Sequence, residues 1–167
     1  MRKLSITILT VLFAFTAFAQ EGNLVESGMQ KAGSGDYKGA IEDYTKAISK
    51  DPEDLNAYLK RAFAYGIVKE YDKAVADYSK VIKSNPDHAL SYLSRGSAYN
   101  KLKKYEKALA DFDKVLSIDE ENQEAYNNRG WAKHYMGDKE GACKDWKKSK
   151  KLGNAEAKLI LKNQKCK

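Results

Sequence analysis

The chain has 167 residues, 43% hydrophobic and 32% charged, with a formal net charge of +7. That length bounds one ordinary domain, and that balance is what a soluble, highly helical protein carries; it excludes an intrinsically disordered one.

In chain order, the first segment reads as a leader. Arg2 and Lys3 precede an apolar run from Leu4 to Phe18, which ends in Ala17-Phe18-Ala19 before Gln20. A basic start, a short hydrophobic stretch and small residues at both cleavage-determining positions make residues 1–19 a secretory signal peptide, with Gln20 as the first mature residue. An uncleaved anchor would need about 20 apolar residues, more than the run supplies. Cleavage takes Arg2 and Lys3 and no acid, so 28 basic side chains face 23 acidic ones in the mature chain, a net +5.

The remainder reads as helices in pairs. The first pair is Asn23 to Gly33 and Tyr37 to Lys50, the second Asp54 to Val68 and Tyr71 to Ser84. The third is His88 to Lys101 and Tyr105 to Ile118, the fourth Asn122 to Met136 and Lys139 to Lys150, and a ninth helix runs near Asn154 to Lys162. Asp51-Pro52 and Asn85-Pro86 stop second helices, while Gly35-Asp36 and Gly137-Asp138 make the turns inside a pair. The pairs are copies of one another, offset by 34 residues: Tyr37, Tyr71 and Tyr105; Ala40, Ala74, Ala108 and Ala142; Tyr44, Tyr78, Phe112 and Trp146. A fixed period of this length marks a helix-turn-helix unit that cannot bury its apolar face alone, so copies stack into a solenoid and function is sought on a surface.

The segments Tyr92-Leu-Ser-Arg95-Gly96-Ser-Ala-Tyr99 and Tyr105-Glu-Lys-Ala108-Leu-Ala-Asp-Phe112, with Tyr126, Arg129, Gly130, Ala142 and Trp146, resemble the tetratricopeptide repeat. The resemblance implies an all-α fold, a right-handed α-solenoid with four repeats at residues 20–53, 54–87, 88–121 and 122–153 and a capping helix with a basic tail at 154–167. It also implies partner binding in a concave groove formed by the first helices. Helix axes cross at Gly28, Ala62, Gly96 and Gly130, small because nothing larger fits between the axes. The departures carry expectations too. Leu24, Lys31 and Gly33-Ser34 predict a frayed first helix; Ser149 and Lys150, in place of apolar pairs, predict a wetter end to the eighth helix; and the ninth is expected to bury Ala155, Ala157, Leu159, Ile160 and Leu161.

Several residues imitate chemistry. Arg61, Arg95 and Arg129, and Asp43, Asp77, Asp111 and Asp145, recur with the repeat, whereas catalysis needs one unsymmetrical constellation, so they are expected to pair structurally across helices. Tyr58, Tyr92 and Tyr126 are expected at the core or groove edge. His88 and His134 stand at unrelated helical positions, neither His-x-x-Glu-His nor Cys-x-x-Cys occurs, and no phosphate-binding glycine loop or nucleophile elbow is present. The expectation is a non-enzymatic chain without metal or cofactor.

By the resemblance, the groove residues are Lys60, Phe63, Gly66 and Ile67; Ser94, Ser97, Asn100 and Lys101; and Asn128, Trp131, His134 and Tyr135. Phe63 and Trp131 are large at positions where stacking does not require it, which fits a binding patch; packing against neighbouring first helices is the alternative. The basic and asparagine clamp by which some relatives grip an acidic tail is not matched, because Asn100, Lys101 and Asn128 fall in the wrong units. Cys143 is expected to face the closing helix, and a disulfide with Cys166 forms only if the tail bends back.

From Lys139 to Lys167, ten lysines stand against Glu140, Asp145 and Glu156. No aromatic residues alternate with them, which argues against nucleic acid, and a solvated terminal face is the expected role. The expectation is an exported adaptor of the bacterial envelope, periplasmic or secreted, that binds a protein or peptide and has no membrane span once the leader is removed. A binder of cell-wall glycan or an anionic surface, using the lysine-rich end, is the rival. A third reading makes the repeats the regulatory half of an enzyme complex.

Overall fold

The computed structural model describes residues 24–164 and Cys166. The expected leader, its cleavage before Gln20, and Asn23 lie outside the described residues. Among those described there are nine helices and no strand: α1 (Leu24–Gly33), α2 (Tyr37–Lys50), α3 (Leu55–Ile67), α4 (Tyr71–Ser84), α5 (Ala89–Lys101), α6 (Tyr105–Ile118), α7 (Gln123–Tyr135), α8 (Lys139–Lys151) and α9 (Ala155–Asn163). The bounds differ from expectation by about a residue, because a polar residue counted as helical is instead the cap. Asp54, His88, Asn122 and Asn154 each accept the backbone N–H three residues on, satisfying a donor the helix itself leaves open.

Each first helix packs against its own second helix, and each second helix against the first helix of the next unit. The first helices α1, α3, α5 and α7 also approach one another, which puts them on the inner side of the solenoid. Inside three of the four units the crossing is a ring over a glycine, and in the second it is Tyr78 packed with Ala62. A methyl added at Gly28 would stand 2.5 Å from Tyr44 Cε1, at Gly96 2.7 Å from Phe112 Cε1, and at Gly130 2.5 Å from Trp146 Nε1. The small residue is thus set by the aromatic of the second helix, not only by the approach of the axes.

The arginine ladder joins units. Arg61 donates to both oxygens of Asp77 (2.8 and 2.9 Å) and through Nη1 to Thr45 Oγ1 of the preceding unit (3.1 Å). Arg95 likewise grips Asp111 and Ser79, and Arg129 grips Asp145 and Asp113. Each guanidinium also lies over a tyrosine: Tyr58 and Tyr65, Tyr92 and Tyr99, and Tyr126 in turn. Repetition here is structural, as the spacing implied.

Three expectations are corrected. The first helix is regular over Leu24–Gly33 rather than frayed: Ser27 replaces the arginine and donates to Asp43 (2.7 Å), and Lys31 also reaches Asp43 (2.7 Å). The Lys31 ammonium, with the Ser27 hydroxyl behind it, holds the Asp43 carboxyl below the ordinary carboxylate range. Ser149 does not wet the end of α8, since it is fully buried with its hydroxyl donating to the Gln123 carbonyl (2.7 Å). In α9 only Ala157 and Ile160 are buried and Leu161 partly so, while Ala155 and Leu159 face outward. The turns inside the second and third pairs have no glycine: Lys69 and Lys103 occupy there the left-handed position held elsewhere by Gly35 and Gly137, with φ of +66° and +59°.

The last joint is built differently. Counted from the caps Asp54, His88, Asn122 and Asn154, α9 carries Leu161 where Arg61, Arg95 and Arg129 stand in the other first helices, and Lys147 stands where Thr45, Ser79 and Asp113 accept those arginines. A Cys143–Cys166 disulfide, with Cα atoms 5.6 Å apart, ties the tail back to α8 instead.

Candidate functional site

The inner face of α3 and α5 opens into a depression of about 620 Å³, walled by Leu59, Phe63 and Ile67 on one side and Leu90, Leu93 and Ser97 on the other. Its floor is Ala74 and Tyr78 from α4 and Ala98. Burial raises the Tyr78 phenol, against a hydrogen bond to Ser94. Phe63, Ile67 and Leu90 are 55%, 47% and 58% exposed, three large apolar side chains bordering one cavity in a chain of mean hydropathy −0.67. Lys60, Lys101 and Glu124 stand around them.

A second depression of about 470 Å³ continues the first, sharing Ser97 and Lys101 with it. Here the lining turns to amides and aromatic rings. Asn100 Nδ2 donates to the Asn128 carbonyl (3.0 Å), Asn128 Nδ2 donates to Ser97 Oγ (3.2 Å), and Ser97 Oγ donates to the Leu93 carbonyl (2.9 Å). Tyr135 stacks on Tyr105 at 5.4 Å and on Trp131 at 5.8 Å. A third, polar hollow of about 350 Å³ follows, sharing Asn128 and Glu156 with the second; in it Asn127 Nδ2 donates to Glu156 Oε2 (2.9 Å). The inner face is therefore one groove, apolar at α3 and α5 and amide-rich towards α7 and α9.

Lys60, Phe63, Gly66, Ile67 and Ser94 line the first depression, Asn100, Asn128, Trp131 and Tyr135 the second, and Ser97 and Lys101 both. One expected groove residue needs correction. His134 lines none of the three hollows, and its ring packs 5.7 Å from Trp146. Trp131 borders the groove but is half-buried, edge-on to the core Trp146 at 5.1 Å, so it is also a packing residue. Leu59, Leu90, Asn127, Glu124 and Glu156 were not expected. Leu59 and Leu90 were findable, three and six positions before the crossing residue of their units; Glu156 comes from the capping helix, outside the repeat register.

Chemically the groove is a contact surface. Its arginine and aspartate neighbours are held in the clasps between units, and among the described residues no three His, Cys, Asp or Glu side chains are grouped so as to hold a metal. No helix among them is long and apolar enough to cross a membrane.

Family models for the tetratricopeptide repeat match residues 33–66, 55–88 and 89–122, together more than half of the chain. The chain is a tetratricopeptide repeat protein. Its fold is similar to solved structures of MamA. One, a crystal structure of MamA protein, is 26% identical over 81% of this chain and 74% of that one, with a TM-score of 0.73. Another, MamA from residue 41 to its end from Desulfovibrio magneticus RS-1, is 23% identical over 77% and 73%, with a TM-score of 0.75. No curated protein matches the sequence. Repeats of this family make the chain a protein-interaction scaffold.

Proposed function

We propose that this tetratricopeptide repeat protein is an exported, non-enzymatic adaptor of the cell envelope that holds a peptide segment of a partner protein along its inner groove. The observation that carries the reading is the exposed trio Phe63, Ile67 and Leu90 over the apolar depression between α3 and α5. Apolar side chains left this open are a cost in the free protein that an anchoring side chain of a partner removes. Lys60 and Lys101 beside the trio favour an acidic residue next to that anchor, and the amides of Asn100 and Asn128 further along suit peptide backbone. Export rests on residues 1–19, and the Cys143–Cys166 disulfide supports it, because such bonds persist in oxidising compartments.

The test places a photo-crosslinking residue at Ser97 in the groove and, as control, at Lys46 on α2. Adducts from Ser97 that vanish on Phe63→Ala, with an unchanged melting curve, are expected. Equal adducts from both positions, or capture indifferent to Phe63→Ala, overturn the reading.

A further inference from the structure

The polar hollow between α7 and α9 repeats the framework of the apolar depression in other chemistry. Counted from the caps His88, Asn122 and Asn154, the same place is held by Leu90, Glu124 and Glu156. Counted from Asp54, His88 and Asn122, another place is held by Leu59, Leu93 and Asn127. The three leucines line the apolar depression, whereas Glu124, Glu156 and Asn127 line the hollow of about 350 Å³. Two positions that give leucine at one end of the groove thus give carboxylates and an amide at the other.

Asn127 is only 3% exposed, and its Nδ2 donates to Glu156 Oε2 (2.9 Å). A carboxylate only accepts, so that bond fixes which way the amide points and sets its head against the wall of the hollow; Oδ1 is left with no hydrogen-bond partner. Its carbonyl accepts the Trp146 indole N–H (3.2 Å), which holds the residue in place. An acceptor buried without a donor is costly in the free chain, and the leucine of the two sister units would avoid that cost. Among the described residues no lysine or arginine lines the hollow. The first turns of α7 and α9 border it, with about half a positive charge at each helix end, so together they offset about one of the two carboxylate charges and the hollow stays negative. Its lining calls for a cation rich in N–H donors.

We propose that the hollow receives the guanidinium of an arginine carried by the same peptide segment whose apolar side chain sits over Phe63, Ile67 and Leu90. The planar fork of a guanidinium fans several donors towards separate acceptors, here Glu124, Glu156 and the unpartnered Asn127 Oδ1, whereas an ammonium concentrates its charge at one point. Glu124 and Glu156 are exposed and can close on the cation, while Asn127 stays fixed by its packing. That the arginine belongs to the groove-bound segment rests on the function proposed above; the arginine site itself does not.

The experiment titrates the full mature chain with arginine blocked as its N-acetyl methylamide, and with blocked citrulline, which keeps the shape and lacks the charge, while backbone and asparagine side-chain amide shifts are recorded. The expected result is shifts centred on Glu124, Asn127 and Glu156, weakening with added salt, and binding at least about tenfold weaker for citrulline. Glu124→Gln with Glu156→Gln should weaken blocked arginine by a similar factor and lower the yield of adducts from Ser97; both positions are exposed, so an unchanged melting curve confirms that the variant folds. Asn127→Leu, which restores the residue of the sister units, should lose the binding and melt no earlier; an earlier melt with binding intact makes Asn127 purely structural and overturns the site. Phe63→Ala should leave blocked arginine unaltered, so the two subsites are scored separately. Equal binding of arginine and citrulline, or shifts away from the hollow, overturn the site even where Ser97 adducts still answer to Phe63→Ala. Adducts undiminished in the double glutamine variant, or tighter binding of spermidine than of blocked arginine, overturn the peptide as its source and leave a free small cation as the occupant.

Discussion

Gly130→Ala separates two effects of opposite sign. Alanine is favoured over glycine inside a helix by about 1 kcal/mol, so on local grounds the substitution stabilises α7. The added methyl, however, would stand 2.5 Å from Trp146 Nε1 and 2.7 Å from Cδ1, distances no carbon atom keeps. Trp146 is the largest fully buried side chain among the described residues, and its indole N–H donates to the Asn127 carbonyl at 3.2 Å. Moving the ring therefore loses that bond, worth about 1 kcal/mol, on top of about 1–3 kcal/mol for overpacking. The net expectation is a loss of about 1–3 kcal/mol, or a melting temperature lower by several degrees. Gly96→Ala, against a Phe112 ring with no hydrogen bond to lose, should cost less. Gly66→Ala is the control: nothing lies within 4 Å of the added methyl, so it should raise stability by about 1 kcal/mol. Thermal unfolding followed by circular dichroism ranks the three. If Gly130→Ala melts as late as Gly66→Ala, the ring does not fix the crossing residue and the argument is refuted.

Lys69→Gly and Lys103→Gly should each stabilise the chain by about 1 kcal/mol in chemical unfolding, because both lysines hold a left-handed backbone that disfavours a side chain. The Asp43 carboxyl is held low by Lys31, so its contribution is present above about pH 4 and is lost as pH falls through its depressed value; hydrogen exchange in α1 should quicken there first, and Asp43→Asn should flatten the response. Reducing the disulfide, which spans 23 positions, should cost about 3 kcal/mol by loop entropy and release α9 before the rest, seen as early exchange of its amides. Trp131→Ala should weaken partner capture and also lower the melting temperature, by less than Trp146→Ala, because its ring is half-buried on Trp146.

Repetition is what made the fold readable. Four copies of one pattern average out local ambiguity, so helix pairs, crossing residues and the arginine–aspartate pairing could be read from spacing alone. The errors sit where one copy departs from the others. Ser149 was read as wet because its inner equivalents are apolar, yet a hydroxyl is satisfied in a dry site by a single carbonyl, here that of Gln123. Lys31 was read as fraying, yet a long cation replaces the missing arginine by reaching Asp43 from one turn further along. Lys133 also reaches Asp145 (2.8 Å) in the last unit, there beside Arg129, so the tyrosine-to-lysine change is a repeated device, invisible until the side chains are placed. The groove was legible only in part, since its lining follows the repeat register but its floor comes from the second helix and one wall from the cap.

Placement of the charge clasps also bears on how the groove stays open. Each arginine ties the second helix of one unit to both helices of the next, so α3, α5 and α7 are held from the outer side and need little contact with one another on the inner side. That leaves the space between α3 and α5 unfilled without slackening the stack, and it is there that Phe63, Ile67 and Leu90 remain exposed. At the final joint the clasp is absent and a covalent bond replaces it, next to the side chains, Trp131 and Trp146, on which the amide-rich half of the groove rests. Rigidity along the groove thus has two sources: charge pairing for its apolar half, and oxidation of Cys143 and Cys166 for the end bounded by Glu156.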